Sequence, residues 1–406
     1  MSWAVAVIGL AFLVLIHEAG HFYTARALGM RPRRFYIGFP PAVVKHTRNG
    51  IEYGIGAIPL GGYVKIPGMH RPAPSDIDAH LSQAVHERPE LIAPFERVKR
   101  RLARGEFEPC DEVSDLDRAV GEAELSPQAR RSAERGLREL RDGLSGDAYW
   151  RAPVWKRVAV IFAGPGTNLL FAIGLLAIVL MVGVRVATLT VGEVSPGSPA
   201  DIAGLRAGDR IYAVDGARVT EFDELYNAVQ DSEGQPIALS VDRDGRRVQF
   251  NVTPTQYFDA NWAIGFRPLG KRERYSPGDA IVTSLDRTWF VTKAIGAGFG
   301  RLVTGEGRRE ISSPVGITRV SSEAVESDFR IYLQLLAFIS LSLALLNMLP
   351  LLPLDGGHIA FSLIEGVRRR AVAREVYERV SIVGIALVLM LFFIGLSNDL
   401  GGRGPG

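Results

Sequence analysis

Five consecutive residues, His17-Glu18-Ala19-Gly20-His21, have the types and spacing of a zinc hydrolase site. Residues four positions apart share one face of a helix, so the imidazoles of His17 and His21 can bind the same metal ion. Glu18 lies beside them and can accept a proton from water that the metal polarises. A catalytic zinc site needs three protein ligands and an open position, so another ligand must come from elsewhere in the chain.

Asp355 is the predicted third ligand. It lies in the run NMLPLLPLDGGH, residues 347–358, where two prolines and two glycines interrupt an apolar segment. Irregular backbone at membrane depth is tolerated only where it is buried in protein or lines a wet cavity. Two alternatives remain: Asp355 is an ordinary helix cap, or the HExxH match is coincidental. Ionisable groups next to long apolar runs are costly unless paired or coordinated, which favours a functional site.

The elements that carry these residues are predicted to be membrane-spanning helices. The chain has 406 residues, is 47% hydrophobic and 22% charged, and has a net charge of +3, which conceals segments without any charge. A span needs about 20 apolar residues. Four segments qualify, the first only with its polar cluster, and they begin at 2, 158, 331 and 380. The alternatives are buried helices of a soluble core and, for the first, a cleaved signal peptide.

Arginine placement predicts the orientation of the spans in the inner (cytoplasmic) membrane of the cell. Basic residues cluster at 31–48 and at 368–379, and such loops stay in the cytoplasm. The N-terminus, the region 185–330 and the C-terminus are then extracytoplasmic. Both His17–His21 and Asp355 fall at cytoplasmic ends of spans, so the three ligands are expected at one depth.

The remaining segments give local predictions. Residues 35–66 alternate around Asn49-Gly50 and predict a β-hairpin, which either pairs with an extended substrate through its free edge or only covers the site. Residues 127–144 predict a helix capped by Ser126. The charge signs of the insert that contains this helix are mixed, which argues against nucleic acid as a partner. Cys110, the single cysteine, is expected to be a free thiol.

A compact α+β module is predicted from about residue 185. Short strands at 190–194, 210–214, 237–242 and 248–252 alternate with helices at 200–203 and 222–229. The core GSPADIAGLRAGDRI resembles a PDZ domain of bacterial proteases. An amphipathic stretch, 280–303, follows it and is expected on the outer membrane surface or against the module.

The fold class is therefore a polytopic α-helical membrane protein with about four transmembrane helices, a membrane-associated β-hairpin and an inserted α+β PDZ-like domain. Its predicted segments are transmembrane helix 1 with HEAGH (1–30), the hairpin region (31–70), a charged cytoplasmic helical insert (71–152), transmembrane helix 2 (153–184), the PDZ-like domain (185–258), an extracytoplasmic amphipathic segment (259–330), transmembrane helix 3 with LDGG (331–364), and a basic loop with transmembrane helix 4 (365–406).

Together, HEAGH, GPGTN at 164–168, the PDZ-like module and NMLPLLPLDGGH resemble the site-2 protease family, and most closely the bacterial branch that includes the regulator of sigma-E protease. The resemblance implies one zinc ion held by His17, His21 and Asp355, with Glu18 as general base and Asn347 binding substrate backbone. It also implies single-span membrane-protein substrates, such as an anti-sigma factor that another protease has trimmed first.

From the residues alone, Asn347 is a candidate to bind substrate, with a hydrogen bond between helices as an equal alternative. Asn168 is a weaker candidate, and for it the hydrogen bond between helices is the favoured reading. The branch it most resembles has two tandem PDZ modules, and only one is recognisable here. The competing function is a catalytically idle membrane adaptor that binds partners through this module. The presence of the complete zinc and base set favours the enzyme.

Overall fold

The structure is a computed structural model, and it describes residues 1–108, 111–257, 261–304, 308, 311–372 and 374–401. Cys110 lies outside this part. The chain forms two compact units, one of Met1–Leu176 with Ser284–Gly406, the other of Ala177–Thr283. The helices and strands are, in chain order, α1 (Ser2–Ala27), β1 (Arg34–Arg48), β2 (Ile51–Lys65), α2 (Pro74–Glu87), α3 (Ile92–Ala103), α4 (Asp111–Glu122), α5 (Pro127–Leu144), α6 (Val154–Val182), β3 (Val184–Val194), α7 (Pro199–Ala203), β4 (Arg210–Val214), β5 (Ala217–Arg218), α8 (Phe222–Asp231), β6 (Ile237–Arg243), β7 (Arg246–Val252), β8 (Thr255–Tyr257), β9 (Asn261–Ala263), β10 (Phe266–Glu273), α9 (Pro277–Thr304), α10 (Pro314–Ser327), α11 (Phe329–Asn347), α12 (Asp355–Arg368) and α13 (Arg374–Leu400).

Four helices of the described chain are long and apolar enough to cross a membrane: α1, α6, α11 and most of α13. The third predicted span, 331–364, is not one helix. Helix α11 ends at Asn347, and α12 begins at Asp355 after a loop that contains Pro350 and Pro353. Proline has no backbone N–H and clashes with the preceding turn, so the chain leaves the helix there and a new one starts at the predicted ligand.

Strands β1 and β2 meet at the predicted turn, where Asn49 and Gly50 both have positive φ, 52° and 75°. The pairing is more elaborate than a two-stranded hairpin. Residues 34–37 pair on one side with 52–55 and on the other with 62–65, while 44–48 pair with 51–55. The strands can fold back in this way because Gly38 has φ 85° and a Cβ on Gly56 would collide with the backbone of Phe39. Residues 62–65 therefore form one edge of this sheet and 44–48 the other.

The charged insert has a hydrophobic core of its own. Helices α2 to α5 pack around buried side chains that include Leu81, Leu116 and Leu137. The predicted cap of α5 is present, since the hydroxyl of Ser126 accepts a hydrogen bond from the Ala129 amide at 3.3 Å. The insert is thus a folded helical domain beneath its charged surface.

The unit Ala177–Thr283 contains an antiparallel sheet in the order β10-β3-β4-β6-β7, with β5 paired to β4. The predicted strands and helices are present, but the sheet continues past residue 258, where the sequence placed the end of this domain. Strand β10 pairs with β3. Its sequence, FRPLGKRE, lacks apolar alternation because it is a charged edge strand, so the pattern of β propensity does not reveal it.

Candidate metal centre

Two helices bring the three predicted ligands together. His17 and His21 lie on α1 with 8% and 6% of their surface exposed, and Asp355 is the first residue of α12. Asp355 Oδ2 lies 3.1 Å from His17 Nε2 and 3.4 Å from His21 Nε2. The two Nε2 atoms are 3.3 Å apart. Three potential donor atoms from distant parts of the sequence therefore converge on one point.

The protonation pattern of this triangle fits a bound cation. The Nδ1–H of His21 donates to the Val160 carbonyl at 2.9 Å, which leaves a lone pair on Nε2 that faces the triangle. Asp355 Oδ2 is buried and faces the same two Nε2 atoms, with no other hydrogen-bond partner among the described residues. Atoms about 2.0–2.1 Å from a tetrahedral zinc lie roughly 3.3 Å from one another, which is the spacing found here. The residues present fit zinc.

The GPGTN run of helix α6, residues 164–168, packs against the part of α1 that carries the histidines. A Cβ on Gly164 would overlap the His21 imidazole, so only glycine lets the two helices approach this closely. Thr167 donates its hydroxyl to the Ile16 carbonyl at 3.2 Å. Asn168 is fully buried, with its Nδ2 atom 3.5 Å from His17 Nδ1. Each of these three residues contacts α1 within the HExxH turn or immediately before it.

Glu18 lies between the ligands and the β1–β2 sheet. Its charge interacts with His17, His21 and Asp355, and the Val64 backbone contacts its carboxylate. A Cβ on Gly62 would come within 2.9 Å of Glu18 Cδ and closer still to Cγ. The edge segment 62–65 thus passes directly over the predicted base, with no space for a side chain at Gly62.

Two glycines that follow Asp355 allow the start of α12 to pack closely against the preceding loop. A Cβ on Gly356 would collide with the carbonyls of Met348 and Leu349, and one on Gly357 with the backbone of Leu351 and Leu352. The first turn of α12 therefore packs directly against the loop that follows α11. This contact fixes the position from which the Asp355 carboxylate reaches the histidines.

Asn347, the last residue of α11, lies outside the triangle. Its Nδ2 donates to the Leu343 carbonyl one turn earlier at 3.0 Å, a hydrogen bond within α11. It lines an apolar cavity of about 540 Å³ together with side chains of α9, α11 and α13.

Several residues of the site escape prediction from residue chemistry. The Val160 carbonyl orients His21 through its backbone, which any residue supplies, and Gly62 and Gly164 contribute by having no side chain. The small-residue run GPGTN is the sequence signal for Gly164. For Gly62 the signal was its place in Gly61-Gly62 near the end of the hairpin.

An HExxH helix long enough to cross a membrane, with an aspartate from a second helix beside its histidines, defines a class of membrane zinc hydrolase. The chain matches the model of Peptidase family M50 over residues 5–391, and it belongs to that family. It is 28% identical to the zinc metalloprotease RasP of Geobacillus kaustophilus, with 96% of this chain and 95% of RasP covered. It is 27% identical to eep of Enterococcus faecalis, named as a protease, with 97% of both chains covered.

A protein of Mesorhizobium japonicum that bears the name of a zinc metalloprotease is 30% identical, with 97% of this chain and 96% of that protein covered. The chain is a multi-pass membrane protein and a zinc metalloprotease of the site-2 type. The idle-adaptor alternative is thereby set aside.

Proposed function

We propose that His17, His21 and Asp355 hold the zinc ion and that Glu18 is the general base of an endopeptidase acting within or near transmembrane segments. One observation carries this assignment: three lone-pair atoms from α1 and α12 lie 3.1 to 3.4 Å apart beside a carboxylate. Bound zinc supplies Lewis-acid polarisation of the scissile carbonyl and of water.

Glu18 moves the proton in this scheme. Its carboxylate accepts a proton from the attacking water and returns it to the amide nitrogen that leaves, so that the peptide bond and water become a carboxylic acid and an amine. The nearby Val64 backbone and Gly62 hold the carboxylate in place. The apolar helices around the site limit access of bulk water, which strengthens every electrostatic contact inside.

Substrate binding is assigned to the sheet edge and to Asn347. A helical substrate hides its peptide bonds and must be extended before attack, and residues 62–65 form a sheet edge beside Glu18. Asn347 lines the apolar cavity, and its amide is available to bond a substrate carbonyl once its local bond to Leu343 is exchanged.

Asn168 is assigned a positioning role instead of direct substrate contact. Its side chain is fully buried and faces His17 Nδ1, while its Oδ1 has no hydrogen-bond partner in the part of the chain that the structure describes. The amide oxygen and nitrogen exchange places on a 180° rotation. With Oδ1 toward His17, the Nδ1–H donates to Asn168, as the Nδ1–H of His21 donates to Val160.

The substrates are assigned as single-span membrane proteins, including anti-sigma factors trimmed first by another protease, in the inner membrane. The basic loops support a cytoplasmic insert and an extracytoplasmic N-terminus, with the unit Ala177–Thr283 also extracytoplasmic. We assign to that unit a PDZ-like fold that acts as a size filter. Its place in the sequence between the second and third spans supports this role, and its deletion should allow untrimmed substrates to be cut.

The variant Glu18→Gln tests the catalytic assignment. It is expected to retain one zinc per chain and to lose cleavage of a membrane-embedded reporter, because the amide has nearly the same shape but cannot accept the proton. Asp355→Ala should instead lose the metal. Unchanged cleavage by Glu18→Gln would refute the role of the base, and full zinc occupancy in Asp355→Ala would remove that residue from the ligand set. Comparison of membrane proteomes from wild-type and Glu18→Gln cells identifies the substrates as accumulated single-span fragments.

A further inference from the structure

A second concave site lies at the β1–β2 turn, beside the sheet edge 44–48, which is opposite the edge that passes over Glu18. The end of α1, the linker 31–33 and the β1–β2 turn enclose a cavity of about 900 Å³. Its lining contains four arginines, Arg26, Arg31, Arg33 and Arg48, together with His46, Tyr53 and the turn itself. No acidic side chain belongs to the described lining.

Three of these four positive charges are uncompensated. Arg33 is neutralised by the insert, since it forms ion pairs with Asp142 at 2.9 Å and Asp147 at 3.0 Å. Arg26, Arg31 and Arg48 form no ion pair with any acid of the described chain, and all three are exposed. Like charges brought together around one cavity repel each other, so an anion that enters it is stabilised by all three.

The position of the cavity identifies the anion. Arg26 lies in the last turn of α1, a helix long and apolar enough to span the membrane, so its guanidinium is at the level of the lipid head groups. Arg26 also stacks over the Phe22 ring at 5.6 Å, which gives the site an apolar side next to its charge. Basic pockets at the ends of spans are suited to the phosphates of anionic lipids.

We propose that Arg26, Arg31 and Arg48 form a binding site for the phosphodiester head group of an anionic phospholipid. The guanidinium groups donate hydrogen bonds to the phosphate oxygens, and the acyl chains remain in the bilayer beside α1. A lipid is favoured over free phosphate because it is already concentrated at this depth and adds apolar contacts. The inference depends on membrane placement and is independent of the proposed catalytic residues.

A bound head group connects α1 to the β1–β2 turn. Arg26 comes from the helix that carries Glu18, and Arg48 from the edge 44–48 of the sheet. The opposite edge of the same sheet, 62–65, passes over Glu18. An anionic lipid would therefore hold the sheet against α1 and keep that edge in place, so cleavage should be faster in anionic than in zwitterionic membranes.

Native mass spectrometry of the purified full chain tests this site. The chain is titrated with phosphatidylglycerol, with phosphatidylcholine, or with inorganic phosphate, and the bound adducts are counted. The variant Arg26→Gln/Arg31→Gln/Arg48→Gln removes the three charges. The matched control, Arg206→Gln/Arg218→Gln/Arg246→Gln, makes the same change of charge at exposed arginines of the other compact unit. Zinc content verifies the fold of each variant.

One tightly retained phosphatidylglycerol is expected in the wild type and the control. The triple variant should bind it on the order of a hundredfold more weakly, since each arginine near a membrane surface contributes roughly a factor of five. If the triple variant loses zinc, the single variant Arg48→Gln on the turn is used, with about a fivefold loss expected. Equal retention of phosphatidylglycerol by variant and control would overturn the proposal. Binding of phosphatidylcholine or inorganic phosphate as tight as that of phosphatidylglycerol would overturn the lipid assignment.

Discussion

Replacing Asn168 with leucine is expected to weaken zinc binding while the chain stays folded. Leucine nearly matches asparagine in shape, so the fully buried position between α6 and α1 is still filled. The change removes the only polar group of the described chain that forms a hydrogen bond with His17 Nδ1. His17 then loses the partner that fixes its ring orientation and its tautomer.

The expected magnitude follows from that contact. Loss of an outer-sphere partner of a metal-bound histidine typically lowers metal affinity about 10- to 100-fold, which corresponds to about 1.4 to 2.7 kcal/mol. A buried N–H left without an acceptor costs about 1 to 3 kcal/mol, which agrees with this range. Asn168→Asp should restore or exceed the wild-type affinity, because a carboxylate is a stronger acceptor for the imidazole N–H.

Competition with a chromophoric chelator measures the zinc dissociation constant of the purified full chain. The absorption spectrum of the cobalt-substituted protein reports the ligand geometry independently of cleavage. Ser340→Ala is the matched control, since the Ser340 hydroxyl donates to the backbone carbonyl of Asn168 at 2.9 Å and does not contact His17. If Asn168→Leu and Ser340→Ala bind zinc equally well and give the same cobalt spectrum, the positioning role is wrong.

Three further substitutions separate metal binding, catalysis and stability. Gly164→Ala places a methyl group on the His21 imidazole and should abolish zinc binding, measured as metal per chain. Gly62→Ala displaces the Glu18 carboxylate, the proposed general base, and should reduce cleavage at least tenfold with zinc retained, and normal cleavage would refute that contact. Asp209 is 1% exposed, which alone would raise its pKa, but hydrogen bonds from the Arg243 guanidinium and the Arg206 amide, together with the charges of both arginines, outweigh burial and lower it. Its stabilisation is therefore present above the ordinary pKa near 4 and lost as pH falls through the lower folded-state value. Asp209→Asn should cost about 2 kcal/mol at pH 7 and flatten this acid dependence in thermal unfolding; the same slope in both proteins would contradict it.

The sequence predicts the three candidate ligands because histidine and aspartate are recognisable as metal-binding residue types. Two imidazoles four residues apart on an apolar helix are rare unless they bind a metal ion or a charged partner. An aspartate in an apolar segment that prolines and glycines interrupt is similarly unusual, so it is the candidate partner. The four spans follow in the same way from charge-free length. In the third, the prolines and glycines of 347–358 predict the interruption, and the structure places the end of α11 at Asn347.

The sequence does not predict what holds these residues in place. The Val160 carbonyl, the missing side chains of Gly62 and Gly164, and the return of 62–65 beside 34–37 depend on tertiary packing, which no local pattern encodes. Strand β10 was missed for a related reason: its alternation is lost because it lies at the edge of its sheet. Local sequence therefore gives the reacting groups, and long-range contacts give their geometry.

The charged insert takes part in that geometry through ion pairs. Asp142 accepts from Arg33 at 2.9 Å and from Lys65 at 2.8 Å, so one carboxylate joins the linker before β1 to the end of β2. Burial alone would raise the pKa of Asp147, but its hydrogen bonds from Arg33 lower that pKa below its ordinary value. Lys65 ends the edge segment that passes over Glu18. Because these pairs are half-buried, they resist salt better than surface pairs do, and they fix the sheet edge at a point beside the site. The hydrophobic core of α2 to α5 holds the acidic partners of these ion pairs in fixed positions. A folded insert can therefore fix the sheet edge, which a flexible loop could not do.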